Sequence, residues 1–434
     1  MSEQTAGPTA DTDPARTADP APTADPARTA DPAPTVGLAV GRGTGEEVAA
    51  VFTRVLGHLA AHHDRPFTLV RSPRVYHSYV SLRPLAIEPG GAGVPEIRRL
   101  SAEDAGHYEE WLRTRAAAGT RVVFRTAINA QSLYLVRQRL RAVKVDTLDA
   151  DGARLLLVRD EAQGFYTGGN THTPGHVSRT TEFSREITEQ LLAYALRRAR
   201  EEWPEGPARI VMAYKFHLLD GALDAWVREF AAREGIEVGV FQPDTVNRNL
   251  VAHRPEDRTV LLAGNEWADI MHLVLLDRYG SGRQEDHCTR NVHLDPDVAG
   301  LVEYQTVHGS ADDLEGRDLL NPVATLRAAA AIAERYVGCT GAEAATEAAL
   351  ARLGDAGVRT PDQGGKHTTT GVVDAFIEEL GAHAPVPAKS SAPAGDSAPA
   401  EASAAAGEPV PATASLAQAV VPAPGPGLAP GLAR

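Results

Sequence analysis

Four lysines stand among 39 arginines in this chain of 434 residues. Lys215 closes the apolar run Ile210–Ala213, just ahead of a helical stretch. A lysine at a strand end is ordinarily a solvated charge. In so lysine-poor a chain it is a candidate for proton transfer, as is a tyrosine, if burial lowers their pKa. Tyr166 lies in Gly164-Phe-Tyr-Thr-Gly168, where the glycines let a ligand approach the backbone. Arginine carries a planar fork of the kind that binds carboxylates through both oxygens, and the chain has 39 to draw on. Asp269 and His272 are spaced to share a helix face, although Mg²⁺ prefers oxygen ligands. Gly41-x-Gly43-x-Gly45 has the wrong spacing for a dinucleotide fingerprint and reads as a tight turn.

These residues hang on alternating strands and helices. Val36–Val40 is an apolar strand, followed by a glycine turn and an amphipathic helix from about Glu46 to Ala61. A helix near Glu103–Ala118 leads to the strand Arg121–Phe124, and Leu155–Val158 is a strand before the long helix Ser184–Glu202. The strand Ile210–Ala213, the helix Leu218–Arg233, the strand Glu237–Phe241, the strand Val260–Ala263 and a helix around Glu266–Asp277 continue the series. Asn321-Pro322 starts an Ala-rich helix that runs to about Tyr336. Such alternation predicts an α/β protein.

Proline marks the ends. Residues 1–35 hold seven of the 30 prolines and residues 384–434 hold ten, leaving a body of roughly 350 residues, ample for a large core. Residues 13–35 repeat Asp-Pro-Ala-(Arg or Pro)-Thr-Ala with period six and no large apolar side chain, as a disordered arm would. The tail after 384 is equally coreless; a docking arm and a tolerated extension both fit such compositions. The ends carry −4 and −1 of the net charge of −14, so the body carries −9. With no basic stripe, nucleic acid is excluded as a partner. No apolar run approaches the roughly 18–20 residues of a membrane span, and the start lacks the regions of a signal peptide. Cys288 and Cys339 make neither a disulfide framework nor a zinc set. A soluble, cytoplasmic protein is expected.

Three stretches are more specific. They are Val158-Arg-Asp-Glu-Ala-Gln-Gly-Phe-Tyr-Thr-Gly-Gly169, then Tyr304-Gln-Thr-Val-His-Gly-Ser-Ala-Asp-Asp-Leu-Glu-Gly-Arg-Asp-Leu-Leu-Asn-Pro322, then Thr360-Pro-Asp-Gln-Gly-Gly-Lys-His-Thr-Thr369 with Thr370 following. Together they resemble the isocitrate/isopropylmalate dehydrogenase family, the β-decarboxylating 2-hydroxyacid dehydrogenases, over about 36–383. The resemblance implies a two-domain α/β fold, not a Rossmann fold, with an interdomain active-site cleft and a homodimer. On that pattern 36–135 and 280–383 form a discontinuous cofactor-binding large domain. Residues 136–279 form a small domain with the dimer contact and the catalytic lysine and aspartates.

The implied reaction passes a hydride from C2 of a malate-type acid to a nicotinamide, then loses CO2 while a divalent metal polarises the oxo group. Lys215, which the resemblance has acting in the neighbouring subunit's site, and Tyr166 match the catalytic pair. Arg141 and Arg159 match two substrate arginines, and Arg125 or Arg137 supplies the missing charge of a distorted preceding motif. His308, Gly309, Ser310 and Ala311 match the loop around the cofactor's adenosine, and Asn321 the residue at the adenine. Asp313 falls where NAD-dependent members keep an acid, since a carboxylate accepts both ribose hydroxyls and repels a 2′-phosphate. Asp244 and Asp269 match two of three aspartates that hold Mg²⁺ or Mn²⁺, but the third falls on Leu273, which ligates nothing. A weakened metal site, one completed by substrate oxygens, and loss of metal binding are all open.

Other departures surround the same site. His217 replaces the asparagine usual after the lysine, and a charged segment, Tyr279–Arg290, reads as a solvated loop. The expected function is NAD-dependent oxidation of an unusual small-molecule acid, a substituted malate, with decarboxylation. A catalytically weak or regulatory paralogue that binds nucleotide or a partner subunit is the alternative, and oxidation without decarboxylation is a third reading.

Overall fold

The computed structural model describes residues 33–279, 283–306 and 311–382. The expected disordered ends fall almost wholly outside the described residues; Thr35 already belongs to the first strand. In chain order the first elements are β1 (Thr35–Gly41), α1 (Gly45–His62), β2 (Thr68–Tyr76), α2 (Tyr79–Ala86), α3 (Val94–Ala117), β3 (Val122–Arg125) and α4 (Ala130–Arg139). Then come β4 (Ala142–Ala150), β5 (Ala153–Asp160), the hairpin β6 (Gly169–Thr173) and β7 (His176–Thr180), α5 (Arg185–Glu202), β8 (Arg209–Ala213) and α6 (Ala222–Glu234). The last are β9 (Val238–Phe241), α7 (Pro243–Ala252), β10 (Thr259–Gly264), α8 (Asn265–Tyr279), β11 (Cys288–His293), β12 (Val302–Thr306), α9 (Val323–Ile332), α10 (Ala342–Asp355) and α11 (Thr369–Ala382).

Ten strands form one sheet in the order β2-β1-β3-β12-β11-β4-β5-β10-β8-β9. Pairing is parallel except where β11 meets β12 and β4, and where β4 meets β5. Parallel strands covered on both faces read as unbroken apolar runs, and Leu155–Val158 and Val260–Ala263 are fully buried. Alternate strand residues enter opposite layers. Val36, Leu38 and Phe124 pack with α1 and α9 on one face, while Ala39 and Val123 pack with α3 and α4 on the other. In the second half of the sheet, Leu156 and Val158 face α5 and α6, while Leu155 and Leu157 face α7 and α8.

The helices follow from their stripes. Val48, Phe52, Val55, Leu56 and Leu59 of α1 are buried at helical spacing, and Phe52 stacks on Phe124 with centroids 4.1 Å apart. Four consecutive buried alanines, Ala328–Ala331, let α9 lie close to α1. Asn321, expected as the cap of α9, lies one residue ahead of it: Pro322 holds the cap position, and the Asn321 side chain accepts the Val323 amide at 3.0 Å. Between β1 and α1 the glycine stretch is a turn. A Cβ on Gly41 would lie 1.8 Å from the Ala127 carbonyl oxygen, so only glycine fits there.

One expectation fails here. Tyr279–Arg290 is not a solvated loop throughout, because Cys288, Thr289 and Arg290 open β11 inside the sheet. Its polar residues point inward, which inverts the usual strand pattern. Among the described residues no helix is long and apolar enough to cross a membrane.

Candidate active site

Paired strand residues share a face. The pairings Glu303↔Asn291, Asn291↔Lys144 and Lys144↔Arg159 therefore align four polar side chains across β12, β11, β4 and β5. All four are buried, in the middle of the face that α3, α4, α7 and α8 cover elsewhere. Buried charge must be paired. Glu303 accepts from Arg125, Asn291 and Tyr108, each at 2.7 Å. Burial alone would raise its pKa, but the Arg125 and Arg137 guanidiniums prevail and hold it down at about 2. Glu161 lies 3.0 Å from Lys144 and 2.9 Å from Arg137, and Arg137 also reaches Gln305 at 3.0 Å.

Over this row stands Tyr166, on the single turn Phe165–Thr167. Gly164 enters that turn at φ 100°, a conformation that favours glycine. The Tyr166 ring lies 4.6 Å from that of Tyr134 on α4, and the Arg137 guanidinium lies 4.9 Å over the Tyr134 ring. Asn265 donates to the Tyr134 hydroxyl at 2.7 Å. The Tyr166 hydroxyl donates to Asp269 Oδ2 at 3.4 Å, and the other Asp269 oxygen pairs with Arg159. Arg159, 2% exposed, also lies 3.4 Å from Asp146. Glu266 packs its half-buried carboxyl against Gly164 and Gly264, and burial raises its pKa. A cavity of about 770 Å³ opens beside Tyr166, lined by Arg98, Gln131, Tyr134, Asn170 and Arg179.

The structure corrects one expectation about Tyr166. Burial, then the Asp269 charge, raises its pKa, because both disfavour a phenolate. Tyr166 is thus held as a phenol that donates.

A second group lies apart. Lys215, 31% exposed, donates to Asp244 at 2.7 Å and to Gln242 at 3.3 Å, and sits 5.6 Å over the Trp267 ring. Asp244 is 69% exposed at the first turn of α7, and its hydrogen bond from Lys215 lowers its pKa. Among the described residues no hydrogen bond or ion pair links this group to Tyr166 or Asp269. Arg141 joins neither group. Its backbone is left-handed, at φ 51°, and its guanidinium goes to Glu186 at 2.6 Å and Gln190 at 3.0 Å on α5.

On the cofactor side, His308, Gly309 and Ser310 lie outside the described residues. Ala311 follows them with φ 42°, and Asp313 is exposed on the turn Asp312–Leu314. Asn321 donates to Asp286 at 2.8 Å and to Asp362 at 3.1 Å, beside a cavity of about 290 Å³. Apolar Pro322, Val323 and Val358 line that cavity with polar Thr360 and Gln363 and charged Arg327, Glu347 and Arg359, so a planar ring with a hydrogen-bonding edge would meet both kinds of group. The residues present fit a metal less well. Each expected carboxylate is already paired with a cation, Leu273 is 41% exposed, and no cluster of three ligating side chains occurs among the described residues.

Sequence reasoning missed Tyr134, Glu161, Glu266, Asn291 and Glu303. Only the glycines beside Glu266 left a local signal.

Comparison with known proteins agrees with this architecture. The chain is 41% identical over 87 residues to 3-isopropylmalate dehydrogenase A of Aspergillus niger, covering 20% of this chain and 24% of that protein. It is 29% identical over 239 residues to a probable tartrate dehydrogenase/decarboxylase of Agrobacterium vitis, covering 52% and 63%. The chain thus spans less than two thirds of these relatives. A probable tartrate dehydrogenase/decarboxylase of Bacillus subtilis is 22% identical over 350 residues, covering 78% and 96%. The fold matches isocitrate dehydrogenase from Methylococcus capsulatus with a TM-score of 0.56 at 17% identity, over 80% of this chain and 99% of that one. A β-decarboxylating dehydrogenase from Thermococcus kodakarensis gives 0.51 at 23% identity, over 80% and 96%. The sequence profile described as isocitrate/isopropylmalate dehydrogenase matches residues 121–379, more than half of the chain, which therefore belongs to the isocitrate/isopropylmalate dehydrogenase family.

Proposed function

We propose that this chain oxidises a 3-substituted malate, a 2-hydroxy acid, with NAD as hydride acceptor and with loss of the β-carboxylate as CO2. The observation that carries this reading is the gathering of Tyr166, Asp269 and Arg137 around a buried polar row that ends in Arg159, with Tyr166 lining a large cavity. Bound NAD would take the hydride; the residues of this chain bind the acid and move protons. Tyr166, held as a phenol, donates to an oxygen on which charge develops. The exposed Asp313 carboxylate and the cavity beside Asn321 support NAD at the ribose and adenine.

The active unit in this reading is a homodimer, and Lys215 with Asp244 completes the site of the other subunit. Both are partly exposed, and six of nine exposed large apolar side chains among the described residues lie between 165 and 273: Phe165, Val177, Leu218, Val251, Ile270 and Leu273. Residues 36–135 with 280–383 form the cofactor half and 136–279 the half that dimerises. The absence of disulfides at Cys288 and Cys339 suits a reducing cytoplasm.

The test is NADH and CO2 formation from a panel of 3-substituted malates. NADH without CO2 would leave oxidation alone. Bound NAD without turnover across the panel would favour the binding paralogue, the reading that Leu273 supports.

A further inference from the structure

We infer that this chain works without a resident divalent cation, and that Asp269 is a positioning residue that holds the Tyr166 hydroxyl beside the buried Arg159 guanidinium. This rests on the dehydrogenase reading above.

The buried ion pairs fall into two sets: Glu161 pairs with Arg137 and Lys144, and Arg159 stands between Asp146 and Asp269. A dication at Asp269 would stand at short range from the guanidinium that already occupies one of its oxygens. The second candidate ligand, Asp244, is tied to Lys215 at 2.7 Å. The position one helical turn after Asp269 is Leu273, which has no donor atom. His272 offers no substitute. It is 1% exposed, and its ring offers nitrogen where these ions prefer oxygen. It lines a cavity together with Asp146, His287 and Arg290. Mg²⁺ and Mn²⁺ seek near-octahedral oxygen sets, and two carboxylates already shared with cations are a poor start.

The balance of the reaction is unchanged. When the bond from C3 to the departing carboxylate breaks, its electron pair passes to the 2-oxygen of the oxo acid and CO2 leaves. C3 then takes one proton. What differs is that protein hydrogen-bond donors hold the 2-oxygen in place of a metal, and Tyr166 joins them by turning its one proton from Asp269 to that oxygen.

The experiment uses the full chain, dialysed against a chelator. Mn²⁺ is added, with and without NAD and a 3-substituted malate, and bound ion is read by electron paramagnetic resonance. No bound Mn²⁺ in any arm is expected, and NADH formation should be equal in chelator and in Mn²⁺. One Mn²⁺ per site, or turnover that requires Mn²⁺, would overturn the inference. Because the resonance signal needs no turnover, failure of the dehydrogenase reading is scored separately. Asp269→Asn keeps an acceptor for Tyr166 and should retain most of kcat, whereas Asp269→Ala should lose about tenfold in kcat with KM little changed, the effect of one hydrogen bond. Equal collapse of both, with loss of Mn²⁺ signal from the wild-type level, would make Asp269 a ligand.

Discussion

Two groups of charged side chains carry the proposed chemistry, and they are held in opposite ways. The Tyr166 group sits over a buried polar row where Glu303 accepts three hydrogen bonds, Arg159 meets two carboxylates, and Lys144 and Asn291 are each paired with a glutamate. Lys215 and Asp244 form one partly exposed pair on a loop and a helix start. The buried group is fixed by the fold of a single chain, since no member can move without leaving a charge unpaired. The exposed pair has Gln242 and the Trp267 ring beside it, as suits residues that complete a site only when a second copy arrives. The difference separates stability from catalysis, and both can be tested.

The largest effect should come from the buried row. Glu303→Ala strands Arg125 in an apolar layer and removes acceptors from Asn291 and Tyr108. Unfolding free energy, read by urea titration, should fall by about 3–5 kcal/mol. A loss under about 1 kcal/mol would mean that the row is solvated like the Lys215 pair.

Lys215→Ala should leave the urea midpoint and NAD binding unchanged while turnover drops by about a hundredfold or more. Turnover near wild type would refute its role. Co-expression with Tyr166→Phe sharpens the comparison. A mixed dimer of the two variants regains one intact site if Lys215 acts across the subunit boundary, and regains none if each chain uses its own lysine.

A smaller effect follows from His272, buried beneath α8 with its pKa lowered from 6.5 to about 4. The unfolded chain binds the proton more readily, so stability is present above pH 6.5 and is lost as the pH falls toward 4. The full loss is about 3 kcal/mol. His272→Leu should flatten this part of the profile. Asp160 slopes the other way. Burial raises its pKa from 3.8 to about 7, so its share is present in acid and is lost as the pH rises through 7.

Legibility followed the same division. Leu155–Val158 and Val260–Ala263 are unbroken apolar runs, so the strands that carry the site were readable. Tyr166 announced itself through its glycines, and Lys215 through the scarcity of lysine. The row from Glu303 to Arg159 was hidden because its members come from four strands, and they align only once β11 runs antiparallel to β4. β11 hid itself too, since Thr289, Asn291 and His293 turn polar side chains inward and leave no amphipathic signal. Arg141 stands apart from both groups for a local reason: its left-handed backbone, rare for arginine, turns it toward α5.

The smallest predicted effect tests the comparison from its weak side. Asp244→Asn removes a charge that faces solvent and meets Lys215 through one contact. Such a pair is screened by water and salt, and ordering two side chains offsets most of its attraction. The urea midpoint should therefore not move, in low salt or high. Turnover should change more than stability, because an unpaired Lys215 is free to adopt orientations other than the one the second subunit needs. A clear drop in midpoint would place this pair with the buried row and remove the argument that it waits for a partner.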